Sequence, residues 1–230
     1  VPHRDRLRWA GLAVVAAVAF VLTALASTRI GAGVSVDEAV RGWILNELPG
    51  PLRQGLDRLA RPLVIVVLAP AVLVLALLAL VRRGWRRAVA GVVIPAAATF
   101  IALELRVRDI FGIGGDAFPS NHAAAGLGLL VGVAVVWPRP VTRHGLVGLG
   151  VAAFCIGLGN VTWYAHQPRD VVGSALLVVA VAAATFAVVG GDSPNLAAEV
   201  RARGSADPAG TSDAAGTSDA RDGGDPDRVA

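Results

Sequence analysis

Apolar residues in this chain come in long blocks, at roughly 9–27, 63–81, 88–103, 123–137, 146–161 and 171–189. Most blocks approach the length a tilted helix needs to cross a bilayer, so the pattern predicts an all-α polytopic fold with six membrane-spanning helices. Between the first two blocks the pattern changes. Val36, Val40, Trp43, Ile44 and Leu48 share one helical face, and Leu52, Leu56, Leu59 and Leu63 share another, with Pro49-Gly50-Pro51 between them. This spacing predicts two short amphipathic helices lying at the outer membrane surface.

Two blocks open on polar clusters. Pro119-Ser120-Asn121-His122 precedes the fourth block, and Tyr164-Ala165-His166-Gln167-Pro168-Arg169-Asp170 precedes the sixth. Pro119 cannot continue a helix from upstream and Ser120 is a favoured N-cap, so a helix is expected to begin at Ser120. Its unpaired N–H groups and positive dipole end then sit beside a hydroxyl and an imidazole, which is the make-up of an anion site. Taken singly, each cluster also fits a plain helix start at a water interface. Together they place two of the chain's four histidines at the starts of two spans.

Composition strengthens the membrane reading. The chain is 55% hydrophobic, with a mean hydropathy of +0.63, which excludes an ordinary soluble domain. Cys155 is the single cysteine and lies in an apolar run, so no intrachain disulfide can form and it reads as a small buried hydrophobe. All 21 basic residues are Arg. They cluster between blocks, at Arg4, Arg6 and Arg8, at Arg82, Arg83, Arg86 and Arg87, and at Arg139 and Arg143. That distribution is a topology signal and not a nucleic-acid surface. It predicts a plasma-membrane protein with cytoplasmic N- and C-termini and with both histidine clusters on the outer face. Trp9, Trp85 and Trp137 would mark the inner interface, and Trp163 and Tyr164 the outer one. The first block is long enough to span and lacks a clear cleavage site, so it is expected to be an anchor and not a cleavable signal.

The charge divides at about residue 190. The body carries seventeen Arg against nine acids, and the remainder four Arg against eight, so +8 and −4 make up the net +4. After 190 the chain turns to Gly, Asp, Ser, Ala and Pro, with Ala-Gly-Thr-Ser-Asp-Ala repeated in tandem from 209. The expected division is a six-span domain over 1–190 and a disordered cytoplasmic tail over 191–230.

His166 and Asp170 lie one helical turn apart, and Pro168 suits the first turn of the sixth span. A carboxylate on one imidazole nitrogen fixes the tautomer and raises the nucleophilicity of the other. The surrounding groups are anion ligands, so the matching electrophile is phosphorus. Ser120, the N–H groups after it, Arg106 and Arg108 would hold phosphate oxygens, and His122 could protonate the leaving oxygen. Asp109, Asp116 and Asp170 show no metal-ligand spacing, so neither metal nor cofactor is expected.

These residues resemble the type 2 phosphatidic acid phosphatase family, six-span membrane enzymes that remove phosphate from lipids. The family carries Lys-x6-Arg-Pro, then Pro-Ser-Gly-His, then Ser-Arg-x5-His-x3-Asp. Pro119-Ser120-Asn121-His122 is similar to the second motif, and His166-x3-Asp170 followed by Val171-Val172-Gly173 to the core of the third. The resemblance runs over roughly residues 10–190. It implies that His166 forms a phosphohistidine, that Asp170 orients it, and that His122 is the general acid. It implies phosphate binding by Ser120, Asn121, Arg108, Arg106, Asn160 and Arg169. Several positions depart from the family pattern. Asn121 replaces Gly, and Gly159-Asn160 stand where the third motif has Ser-Arg, so one phosphate-binding cation is absent and Arg169 is the candidate replacement. The first motif survives only as Arg108 and Arg106. Arg61-Pro62 copies its ending but precedes the second span instead of the loop before Pro119, and is set aside.

The expected function is therefore removal of phosphate from a lipid phosphate or lipid pyrophosphate, with the lipid bilayer as partner and no nucleic acid. The altered motifs leave open a non-catalytic relative that binds lipid phosphate or acts as a scaffold. A transporter is disfavoured, because the middles of the blocks are almost free of ionisable residues.

Overall fold

A computed structural model describes residues 3–112, 118–162 and 166–190. Among them the regular structure is helical: α1 (His3–Arg29), α2 (Gly31–Glu47), α3 (Gly50–Arg58), a π-helical turn (Leu59–Leu63), α4 (Val64–Val81), α5 (Trp85–Val107), α6 (Asn121–Val136), α7 (Arg143–Thr162) and α8 (Pro168–Val189). Five rods are long and apolar enough to cross a membrane: Arg4–Arg29, Gly50–Val81, Trp85–Val107, Arg143–Thr162 and Pro168–Val189. Their outward faces are apolar, with Val15 on α1, Val66 on α4 and Phe154 on α7 each more than 60% exposed. Such faces suit lipid and not water, as in a multi-pass membrane protein.

The fourth apolar block is the exception. α6 has 16 residues and spans only about 24 Å, against about 30 Å of bilayer hydrocarbon. Ser120 caps its start and Trp137-Pro138 closes its end, so its length is fixed by local chemistry at both ends. α6 is also the hub of the bundle, in contact with α4, α5, α7 and α8.

The second of the expected surface helices runs on without a break. α3, the π turn and α4 form one 32-residue rod, Gly50–Val81. Pro62 lacks the N–H that a regular helix would use, and the local widening to a π turn lets the chain pass it without ending.

Gly128 and Gly132, four apart on α6, serve its contact with α5. A Cβ on Gly128 would lie 2.9 Å from the Cα of Pro95, and one on Gly132 would lie 2.7 Å from the Gly91 carbonyl oxygen. The α5–α6 contact is therefore nearly backbone to backbone, as small residues allow in apolar bundles. Cys155 is only half-buried on α7. At one end of the bundle, Arg86 Nη1 donates to the Gly190 carbonyl at 3.2 Å and the Trp9 ring packs on Phe186 at 5.0 Å. Two of the Arg clusters thus gather where α8 ends, and the described histidine of each polar cluster sits at the opposite end of its helix. Trp163, Tyr164, Asp116 and the expected 191–230 tail lie outside the described residues.

Candidate phosphate site at the starts of α6 and α8

The starts of α6 and α8 are tied together through buried polar groups. Ser120 caps α6 as expected, its Oγ accepting the Ala123 N–H at 3.2 Å. The Ser120 N–H donates to the Asp170 carbonyl at 3.3 Å. Ser174 Oγ lies within hydrogen-bond reach of two carbonyls, 2.8 Å from that of Ser120 and 2.7 Å from that of Asp170. Ser120, Asp170 and Ser174 are wholly buried. Unpaired, these groups would each cost about 1–3 kcal/mol, so the mutual satisfaction selects this one arrangement of the two helix starts. Phe118, stacked among Phe20 and Phe111, lies against Gly173 where a Cβ would clash, which holds the segment entering Ser120 against α8.

α8 begins as expected, with Gln167 as N-cap and Pro168 in its first turn. Asp170 Oδ2 accepts the Gln167 N–H at 2.8 Å and stands 3.6 Å from His166 Nδ1. The longer separation is an ion-pair distance and not a hydrogen bond. The carboxylate thus fixes the helix start and faces Nδ1, and Nε2 is the ring nitrogen turned away from it. His166 is 4% exposed.

His122 occupies the first turn of α6, and its Nδ1 is buried without a hydrogen bond among the described residues. The charged groups that bear on it are Arg61, His166 and Arg106. His122, His166 and the capped end of α6 therefore share one locus.

The structure sorts the candidate cations. Arg106 Nη1 donates to Asn121 Oδ1 at 3.1 Å and so reaches the start of α6. Arg108 does not: its Nε pairs with Glu104 Oε2 at 2.8 Å on an exposed surface. Arg169 turns toward α1 and α2. Its Nη1 donates to the Ser27 carbonyl at 3.2 Å and lies 3.6 Å from Asp37 Oδ2, and its Nε is 3.5 Å from Asp170 Oδ1. It backs the Asp170 carboxylate and ties α8 to α2. Asn160 is wholly buried, with its Nδ2 donating to the Ile156 carbonyl at 2.8 Å and its Oδ1 3.5 Å from Ser120 Oγ. Arg61, set aside on sequence position, stands on the rod that α3 forms with α4.

Asp37 and Ser174 are site neighbours that sequence reading did not single out, and Arg61 is one that it set aside. Asp37 Oδ1 accepts the Arg169 N–H at 2.8 Å. Burial pushes its carboxyl above the ordinary value, opposed by the Arg169 amide and guanidinium. A signal existed, because Asp37 and Ile44, seven apart, are the buried residues of α2, so an acid stands on the inward stripe. Ser174 follows Asp170 by one turn in an otherwise apolar run and carried a similar hint.

Residues 99–193 match the family model described as the PAP2 superfamily. Neither the curated proteins nor the solved structures yield a match. PAP2 proteins are phosphatases, so the match supports a phosphoric ester hydrolase at that general level. The matched segment begins on α5 and contains both polar clusters, and the match is consistent with a type 2 phosphatidic acid phosphatase-like family member.

Proposed function

We propose that the chain is a lipid phosphatase or lipid pyrophosphatase working through a phosphohistidine at the outer face of the plasma membrane. The observation that carries this reading is the joining of the α6 and α8 starts by Ser120, Asp170 and Ser174, which sets the His122 turn beside His166. In the proposed reaction, His166 Nε2 attacks phosphorus and the bond to the leaving oxygen breaks. His122, protonated, gives that oxygen its proton. Water then attacks the phosphohistidine, with His122 taking the proton, and releases inorganic phosphate. Asp170 holds His166 in its tautomer. Ser120, Asn121, Arg106 and the N–H groups opening α6 stabilise the charge that builds on the phosphoryl oxygens.

A lipid substrate is supported by an apolar groove of about 470 Å³ between α4, α5 and α6, lined by residues such as Leu73, Pro95, Phe100 and Leu129. It reaches Ala125, three residues below His122. The six-span topology, with α6 as the short fourth span, and the cytoplasmic termini are part of this proposal and rest on the Arg clusters. A second reading, a non-catalytic binder of lipid phosphate, is favoured by the neutral Asn160 buried beside Ser120.

Phosphate release from a panel of lipid mono- and pyrophosphates, by wild type and His166→Ala in detergent, tests the proposal. Turnover lost in the variant is the expected result. No release above the variant's background across the panel would leave the binder.

A further inference from the structure

Arg61 lies on a rod that packs into the groove between α6 and α7. Two contacts fix its register. A Cβ on Gly159 of α7 would clash with the Leu56 carbonyl and with Ala60, so α3 and the π turn press directly on the backbone beside Asn160. On the neighbouring face, Val64 Cγ1 lies 3.1 Å from where a Cβ on Gly126 of α6 would stand. Arg61 precedes Val64 by three residues and His122 precedes Gly126 by four, about one turn in each helix. Val72 meets Gly132 of α6 as Val64 meets Gly126, so α4 and α6 run in the same direction. One step toward their starts from the Val64–Gly126 contact therefore sets Arg61 alongside His122. The π turn itself shifts Arg61 relative to a regular helix, and such turns recur where a side chain must be re-aimed.

The guanidinium is steadied from below. Asp57, one turn earlier, has its Oδ1 3.9 Å from Arg61 Nε, and both side chains are only about one-fifth exposed, at 20% and 22%. A half-buried guanidinium is a stronger anion ligand than one in open water, because the surrounding dielectric is lower.

We propose that Arg61, presented by the π turn and steadied by Asp57, is a phosphate-binding residue that faces Arg106 across His122. Arg106 approaches from α5 and Arg61 from the α3–α4 rod, so the phosphoryl group is held between two guanidiniums contributed by different elements. The neutral side chain of Asn160 and the missing side chain of Gly159 belong to the same arrangement. Gly159 lets the rod close on α7, and the cation then comes from the rod instead of from α7. This assignment rests on the phosphate-site reading above and adds a ligand to it.

Vanadate binding to the detergent-purified full chain, measured by calorimetry, separates the two ideas without requiring turnover. Wild type is compared with Arg61→Gln, Arg61→Lys and His166→Ala. Binding in the wild type, weakened about 10- to 100-fold by Arg61→Gln and partly restored by Arg61→Lys at unchanged melting temperature, is the expected result. Restoration of Arg61→Ala by added guanidinium ion would support it further, since a merely structural role gives no such rescue. Wild-type binding that Arg61→Gln leaves unchanged overturns the role of Arg61 and keeps the site. No vanadate binding by the wild type, together with no phosphate release, overturns the site reading and this inference with it.

Discussion

The site is assembled from two regions of the chain that supply different things by different means. Residues 99–193, the segment the PAP2 superfamily model recognises, supply both histidines, the Ser120 cap and Asp170. The first 98 residues supply charges and their supports: Asp37 beneath Arg169, the Ser27 carbonyl, and Arg61 with Asp57. In the later region each group is held by a local device, an N-cap or a proline-led helix start. In the earlier region the groups arrive through tertiary contacts: Arg61 by packing at Gly159 and at the Val64–Gly126 contact, and Asp37 and the Ser27 carbonyl by hydrogen bonds from Arg169. The proposed reacting groups are thus fixed largely by short-range chemistry and much of their electrostatic surroundings by tertiary contacts. The two can vary separately, and substitutions in the two regions should fail in different ways.

The largest effect belongs to the locally fixed region. Asp170→Asn keeps an oxygen to accept the Gln167 N–H but loses the charge facing His166 Nδ1. We expect phosphate release to fall by about 10³- to 10⁴-fold, the scale seen when the orienting carboxylate of a Ser-His-Asp triad is made neutral, with little change in melting temperature. A loss below about tenfold would mean that Asp170 serves the fold and not the reaction.

That contrast also explains what could be read from the sequence. The placement of Ser120, His122, His166 and Asp170 at two helix starts was legible because N-caps, prolines and a one-turn His–Asp spacing act over four residues. The five long rods were legible because an apolar block needs no partner to declare itself. The continuity of α3 with α4 was not, since a proline, Pro62, stands where the amphipathic pattern meets the apolar block, and only the π turn shows that the helix passes it. Arg61 was missed for the same reason: a residue one step before a span looks remote from Pro119 until the rod is laid against α6. Arg106 and Arg108 look alike in sequence, and Glu104 one turn earlier decides between them.

A smaller effect separates those two arginines. Arg106→Ala removes the donor to Asn121 and a cation beside His122. It should lower phosphate release about 10- to 100-fold, the loss of one charge-assisted hydrogen bond of about 1.5–3 kcal/mol. Arg108→Ala breaks only an exposed pair with Glu104 and should change the rate by less than about twofold. Equal losses in the two variants, measured on the same substrate, would place Arg108 in the site after all.

The smallest effect is in the packed region, at Asp37. Burial raises its carboxyl above 3.8 in the folded chain, with Arg169 pulling the other way. A folded-state pKa above the unfolded one means that the native chain holds the proton more tightly. The resulting contribution to stability is complete below 3.8 and is lost as pH rises through the folded-state value. Asp37→Asn keeps an acceptor for the Arg169 N–H and cannot titrate, so it lacks this slope. Melting temperatures of wild type and Asp37→Asn, followed from neutral to acid pH in one detergent, should therefore diverge in favour of wild type as pH falls. The divergence should amount to a few degrees at most, because Arg169 offsets part of the burial. A gap that stays constant with pH would show that α2 does not hold Asp37 out of water, and that the earlier region bears on α8 less closely than its contact with Arg169 implies.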